Sequence, residues 1–387
     1  MKGQNLMCSG NIKSLPGLYI HVPFCRSKCD YCSFYSIRED TSPYDIDAFV
    51  TRLTRELESF RKSFGAVVFD TLYIGGGTPS ILSVEMMRRL LDAAGTMFSI
   101  ADDAEVTVEM NPDDISRGKL FGFRDAGITR IVLGVQTSIM KHRQTLGRRS
   151  RNCTEDDLEL FFSVPGITRC LDFIAGIPGQ TESGIDADLG IIRRFRPEHV
   201  SLYMLSIEDG TPLAARVTPD AEFEENQRVI WERAIHYLKG MGYRHYEISN
   251  FALPGFESRH NMKYWDFTPY LGAGPGAHSF FNGLRFSNPA SLEEYMKPGE
   301  FRRINDYRNA DQLLVEFIMT AVRKLDGFTA GEYTAISGRP LPAEVIKRLG
   351  DKEREGLISS ENGCYRLTEN GVFLADRVIF DLAEPFL

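Results

Sequence analysis

Three cysteines in a C-x3-C-x2-C run, Cys25, Cys29 and Cys32, constrain this chain more than any other feature. They follow a short strand-like segment, Leu18 to Val22, that ends at Pro23. A closed tetrahedral zinc site needs four ligands, and its cysteines usually come as two separated pairs. Here one cluster of three stands without a second pair. A four-iron cluster normally takes four thiolates, one per iron. Three would leave one iron open to something other than protein. The competing readings are a half zinc site with His21 as fourth ligand, or three unrelated cysteines.

Downstream, strand-like and helix-like segments alternate. Residues 45–64 carry Ile46, Phe49, Val50, Leu53, Leu57 and Phe60 at helical spacing. An apolar run from Val67 to Ile74 has strand length and stops at Gly75-Gly76-Gly77-Thr78. Glycines between a strand and a helix let backbone approach a ligand closely and can present N–H groups; a tight turn explains them equally well. Residues 84–97 read as a helix, and 104–110 as a strand that delivers Glu109 at its C-terminal end. A carboxylate there could hydrogen-bond a pair of ribose hydroxyls, or merely be solvated. Asp113 and Asp114 are expected to begin the next helix, where negative charge suits the dipole. The fourth strand, 127–137, ends near Gln136, with Arg148 twelve residues on. The fifth, 168–174, carries Asp172, and the sixth spans 199–207. Strand–helix alternation implies a parallel sheet with right-handed crossovers. Six units between residue 17 and about 210 are too few to close a conventional eight-fold barrel. The expected fold is therefore α/β, a partial (β/α)6 barrel with an open side and its chemistry at the C-terminal strand ends.

The rest of the chain changes character. Residues 216–299 read as a barrel extension, with a helix over 227–241, the run His260-Asn261-Met262-Lys263-Tyr264-Trp265, and the glycine-rich stretch Leu271 to Ser279 ending in His278-Ser279. Aromatic residues with flexible backbone suit a flat apolar ligand and equally suit a packed barrel rim. From residue 300 to 387 the pattern is helix, helix, hairpin and helix, a small winged-helix-like module. Residues 1–16 form a lead-in. With a formal charge of -8 the chain has no broad basic footprint, so no nucleic-acid partner is expected; the basic run Lys141 to Arg151 reads as a solvated face or a small-anion site. Seven cysteines, scattered outside the cluster, suit a reducing compartment. No secretory signal and no long apolar span are read, so the expected location is cytoplasmic, with a peripheral membrane contact left open.

The motifs YIHVPFCRSKCDYCSF, LYIGGGTPSIL, VEMNPDDI, RIVLGVQT, LGR, LDFIAGIPGQT, EDGTP, YEISNFA, HNMKYW and GAGPGAHS resemble, in this order, those of the radical S-adenosylmethionine (SAM) superfamily. Within it they are similar to the oxygen-independent coproporphyrinogen III oxidase-like proteins, and closest to their heme chaperone HemW branch. Two features carry that choice. The oxidase has a fourth cysteine two residues after the third, where this chain has Ser33-Phe34, and His260 to Trp265 fits the H-N-x-x-Y-W motif of the chaperone branch. The resemblance implies a [4Fe–4S] cluster on Cys25, Cys29 and Cys32, with SAM on the open iron. Tyr19, Gly76, Gly77, Thr78 and Glu109 match the positions that hold this SAM. Gln136, Arg148 and Asp172 match positions that in the oxidase hold a second SAM, or here shape the site. The family often has a histidine after Leu-Gly-Arg, whereas this chain has Arg149-Ser150-Arg151.

What the resemblance implies for function is a chaperone that takes heme as cargo and passes it to membrane respiratory hemoproteins. The alternative is a porphyrin-biosynthetic oxidase that decarboxylates coproporphyrinogen III with electrons from a separate donor. His260 or His278 is a candidate to ligate or orient the heme; either could instead be a hydrogen-bonded structural residue. No catalytic residue is assigned.

Overall fold

The computed structural model describes residues 14–387. Cys8 and most of the expected lead-in therefore lie outside the described residues. Six parallel strands stand in chain order, Gly17–Val22, Val68–Gly76, Ser99–Met110, Arg130–Gln136, Thr168–Ala175 and His199–Met204. Each pairs with the next in parallel register. Every crossover steps one place in the same direction, so all six C-terminal ends emerge at one end of the sheet and the sheet curls towards a barrel.

The expected count of six misses a strand. Tyr270–Ala273, inside the glycine-rich stretch, pairs in parallel with the first strand on its free side. Glycine is needed there for close approach. A Cβ on Gly272 would lie 2.1 Å from the His278 carbonyl oxygen, and one on Gly274 would lie 2.3 Å from the His21 oxygen. Beyond it run antiparallel strands His278–Phe281, Leu284–Ser287 and Ile304–Asp306; at the other edge stand Asn250–Ala252 and Arg244–Glu247. The two outermost strands do not pair with each other, so the barrel is open as expected. The extension is thus continuous with the barrel sheet, and a strand from beyond residue 300 joins it.

Alternation along each strand divides the sheet into two faces. Leu18, Ile20, Leu72, Ile74, Ile131, Leu133, Leu171, Phe173, Val200 and Leu202 are fully or nearly fully buried under the outer helices. Their interleaved neighbours Tyr19, Tyr73, Thr107, Asp172, Ser201 and Tyr203 are polar. The first outer helix, Ile46–Phe64, is capped by Asp45 and buries Phe49, Val50, Leu53, Leu57 and Phe60. Each such side chain contributes about 1.5–3 kcal/mol. The same helix buries Glu56, whose carboxylate accepts from the Gly274 N–H at 2.8 Å, Asn288 Nδ2 at 2.6 Å and the Tyr295 hydroxyl at 2.7 Å. A buried acid with three donors ties helix to extension.

Two local expectations are corrected. Asp113 and Asp114 fall in a short 3-10 turn, Pro112–Asp114, and the helix starts at Arg117, capped by Ser116. Asp114 instead turns inward to accept from Ser80 Oγ at 2.7 Å and to pair with Arg26 Nη1 at 2.7 Å. The extension's helix begins at Ala221, six residues before the expected Gln227, because Asp220 caps it. In the C-terminal module, the strands Phe328–Thr329, Cys364–Leu367 and Ile358–Glu361 form a separate three-stranded sheet beside helices Ala310–Ala321, Ala343–Arg354 and Ala375–Ala383. Among the described residues no helix is long and apolar enough to cross a membrane.

Candidate functional site

The cysteine loop leaves the first strand and is held down along its length. His21 binds Tyr19 Oη through Nδ1 at 2.9 Å and the Tyr35 carbonyl through Nε2 at 2.9 Å. Both ring nitrogens are therefore engaged, and His21 is not a metal ligand. Arg26 is anchored on Asp114, the Asp30 N–H donates to the Leu146 carbonyl at 3.0 Å, and the Leu213 N–H donates to the Asp30 carbonyl at 2.9 Å. The loop so fixed presents Cys25, Cys29 and Cys32 as free thiols. Among the described residues no three His, Cys, Asp or Glu side chains gather to hold a single metal ion.

Below the loop lies a cavity of about 600 Å³. Cys25, Cys29, Cys32, Gly76, Gly77, Thr78, Glu109, Gln136, Arg148 and Asp172 all line it. Residues as far apart in sequence as Cys25 and Asp172 thus share one space, because parallel strands deliver their C-terminal ends together. Tyr19 lies just beneath, its ring centroid 6.2 Å from that of Tyr73.

The glycines serve packing first. The Gly77 N–H donates to the Val22 carbonyl and the Thr78 N–H to the Phe24 carbonyl, each at 2.8 Å. The Gly76 N–H donates to Glu109 Oε2 at 3.2 Å. These N–H groups are therefore not what a ligand would meet, contrary to one expectation from the sequence. A Cβ on Gly77 would lie 2.6 Å from the Phe24 oxygen and 2.9 Å from Cys25 Sγ. The glycine run lets the second strand close up against the cysteine loop.

Around it runs a hydrogen-bond chain that the sequence did not reveal. Asn111 Nδ2 donates to Thr78 Oγ1 at 3.2 Å, and Thr78 Oγ1 approaches Cys25 Sγ at 3.6 Å. Arg148 Nη2 donates to Asn111 Oδ1 at 2.5 Å and to the Gly134 carbonyl at 2.6 Å, while Nη1 points at Cys29 Sγ at 3.9 Å. Gln136 adopts a left-handed backbone, φ 66°, where the strand register shifts. Such strain is held only where surrounding structure demands it.

Electrostatics follow from enclosure. Burial raises the Cys25 and Cys32 thiols; neighbouring thiolate charge raises both further, against hydrogen bonds from Thr78 to Cys25 and from the Phe34 N–H to Cys32. Such thiols become thiolates when a cation compensates them. Burial pushes the Glu109 carboxyl up to about 7, with the Asp172 charge adding and the Tyr73 hydroxyl and Gly76 N–H opposing. Asp172 is pushed up to about 6 by burial, opposed by Ser201, Arg130 and Arg148.

The two candidate histidines are not in this cavity. His260 is fully buried at the opposite end of the barrel strands. Its Nδ1 meets Thr71 Oγ1 at 2.8 Å and its Nε2 meets Tyr264 Oη at 3.0 Å. With both nitrogens hydrogen-bonded, it packs as a plug in the barrel floor. His278 is exposed on its strand and does not line the cavity. Residues missed by sequence reading include Tyr73, Asn111, Tyr203 and Arg323. No motif marks Tyr203 or Arg323; Asn111 stood close to Glu109 in the VEMNP motif and could have been found there.

A family model described as the radical SAM superfamily matches residues 19–190, and one described as the HemN C-terminal domain matches residues 309–374. The chain is 34% identical to "Heme chaperone HemW" of Lactococcus lactis, over 95% of this chain and 96% of that protein. It is 32% identical to the protein of the same description from Escherichia coli, over 95% and 98%. Among solved structures, coproporphyrinogen III oxidase (HemN) from Escherichia coli, described as a radical SAM enzyme, aligns with a TM-score of 0.79 at 20% identity, covering 96% of this chain and 91% of that one.

Proposed function

Because this chain belongs to the HemW family of radical SAM proteins, we propose that it binds heme and hands it to acceptor hemoproteins. The observation that carries the reading is the single cavity under the cysteine loop, about 600 Å³ and lined by the three thiols together with aromatic and basic side chains. Relatives described as heme chaperones along nearly the whole chain supply the cargo.

The radical SAM family implies a [4Fe–4S] cluster and SAM, and the residues present fit both. Three free thiols on one short loop, all facing one cavity, suit an iron cluster that takes one thiolate on each of three irons. Cys25, Cys29 and Cys32 would hold it. Gly76, Gly77, Thr78 and Glu109 would hold SAM beside it, with Tyr19 supporting them from below. When bound, this pair supplies one-electron radical chemistry. The chain's own residues do the rest. Tyr73 and the Gly76 N–H fix Glu109 so that its carboxylate faces the cavity, and Arg148 holds Asn111 and hence Thr78 against Cys25. Gln136, Arg148 and Asp172 shape the far wall. Arg148, already engaged by three acceptors, acts there as a brace.

That the proposed cluster and SAM residues other than Tyr19 line one cavity also supports a second reading, an oxidase that decarboxylates coproporphyrinogen III. One experiment separates the two. The reconstituted chain, loaded with hemin, is mixed with an apo-form respiratory cytochrome, and in parallel incubated anaerobically with SAM, a low-potential reductant and coproporphyrinogen III. Heme appearing in the cytochrome, with no vinyl product, supports the chaperone. Vinyl product formed over repeated turnovers assigns the oxidase instead, and failure to take up hemin sinks the chaperone reading.

A further inference from the structure

One cavity side chain comes from the C-terminal module. Arg323, just past the helix Ala310–Ala321, lines the same space as the cysteines, Tyr203 and Asp172. Its position is fixed from both sides. The next residue, Lys324, is buried; it pairs with Asp266 at 2.8 Å and Glu332 at 3.4 Å, and its backbone bridges to Glu247. Leu325 N–H then donates to the Tyr246 carbonyl at 3.1 Å. The guanidinium itself lies 5.3 Å from the ring centroid of Trp265. Trp265 ends the helix Arg259–Trp265, whose other end is locked by His260 into the barrel floor.

Of the other cations at the cavity, Arg148 is braced and Lys28 makes one long contact. Arg148 has three acceptors, and Lys28 donates to the Ser36 carbonyl at 3.5 Å. Among the described residues no hydrogen bond engages the guanidinium N–H groups of Arg323. Its ion pair is with Asp376 at 3.7 Å, a carboxylate 93% exposed and therefore well screened. Buried Glu247 lies nearby, but burial pushes its carboxyl up to about 7, against the opposing charge of Arg323. A rigid, half-buried guanidinium with free donors beside an aromatic-lined space is the arrangement that reads a carboxylate.

We propose that Arg323, held in place by Trp265, binds a carboxylate of the cargo, so that a flat apolar tetrapyrrole is recognised by a propionate side chain through the C-terminal module. The proposal rests on the heme-binding reading above. It gives that module a part in ligand recognition, and it gives Trp265, the last residue of the H-N-x-x-Y-W run, a positioning role.

The test compares hemin with hemin dimethyl ester, which keeps the macrocycle and iron but removes both charged carboxylates. Each is titrated into the full reconstituted chain and followed by absorbance. The unaltered chain is expected to bind the free acid at least tenfold more tightly than the ester. In Arg323→Ala the two should bind alike, in Arg323→Lys the preference should return in part, and in Trp265→Phe it should fall several-fold. Unchanged iron content in each variant shows that the fold is kept. Equal binding of acid and ester by the unaltered chain, or an undiminished preference in Arg323→Ala, overturns the assignment while leaving heme binding intact. Binding of neither compound by the unaltered chain overturns the functional reading and this proposal together.

Discussion

The hydroxyl of Tyr73 donates to Glu109 Oε1 at 2.8 Å, joining the second and third barrel strands directly beneath the cysteine loop. The Gly76 N–H holds the other carboxylate oxygen at 3.2 Å, so the acid is oriented before any ligand arrives. Replacing Glu109 by Ala removes the acceptor and leaves a buried hydroxyl unpartnered, which costs about 1–3 kcal/mol. Glu109→Gln keeps the shape and loses the charge. SAM affinity of the reconstituted protein, measured by calorimetry, is expected to fall about tenfold in Glu109→Gln, since hydrogen bonds to charged groups contribute roughly 1.5–3 kcal/mol. Unaltered affinity would remove Glu109 from the SAM site.

Cys29 is one of the three thiols proposed to hold the cluster, each on its own iron. Cys29→Ala should abolish the brown colour of the reconstituted protein and reduce its iron and sulfide content. The fold should survive, because Cys29 lies on a loop held by Arg26, Asp30 and Tyr35 contacts. Iron and sulfide at the unaltered level would contradict the cluster assignment.

Gly77→Ala places a methyl group 2.6 Å from the backbone oxygen of Phe24 and 2.9 Å from Cys25 Sγ. Neither neighbour is the end of a flexible chain. The loop must shift, and cluster content and melting temperature should both drop. A methyl group on Gly95, inside the helix Val84–Met97, would meet no atom within 4 Å, so Gly95→Ala should stabilise by about 0.5–1 kcal/mol. Equal melting temperatures for the two variants would contradict the close-packing account.

His260 is held neutral. Burial, followed by the charge of Lys263, pushes its pKa down to about 3, against an ordinary value of about 6.5. Between those values the unfolded chain binds more protons than the folded one. Its contribution is therefore complete above pH ~6.5 and declines as pH falls, at up to about 1.4 kcal/mol per pH unit. In His260→Gln this slope is absent. The difference in urea midpoint between the unaltered chain and His260→Gln should change steadily from pH 7 to pH 5, in the direction that favours the variant at lower pH. A difference that stays constant would show the ring to be solvated or charged.

Much of the site was legible because its chemistry is local. The spacing of Cys25, Cys29 and Cys32 lies within eight residues, and a thiol count limits which metal centre it can build. Strand–helix alternation between residues 17 and 204 is likewise a matter of short-range periodicity, and it carried the parallel sheet and its open barrel. The positions of Glu109 and Gln136 at strand ends, and of Asp172 within a strand, followed from that periodicity alone. Boundaries slipped where a capping side chain, such as Asp220, started a helix ahead of its apolar stripe.

What the sequence determined by itself was the candidate thiol set and the order of strands around it, since both depend on residue type and on separations of a few positions. The tertiary structure decided the rest. Tyr270–Ala273 became a strand because the first barrel strand had a free edge and glycines at 272 and 274 allowed contact. His260 became a floor plug because Thr71 and Tyr264 occupy both its nitrogens. Arg323 reached the cavity because Trp265, far earlier in the chain, lies under its guanidinium. Burial and long-range partners fix whether a histidine ligates or braces and whether an arginine is free or engaged, and neither is written in local spacing.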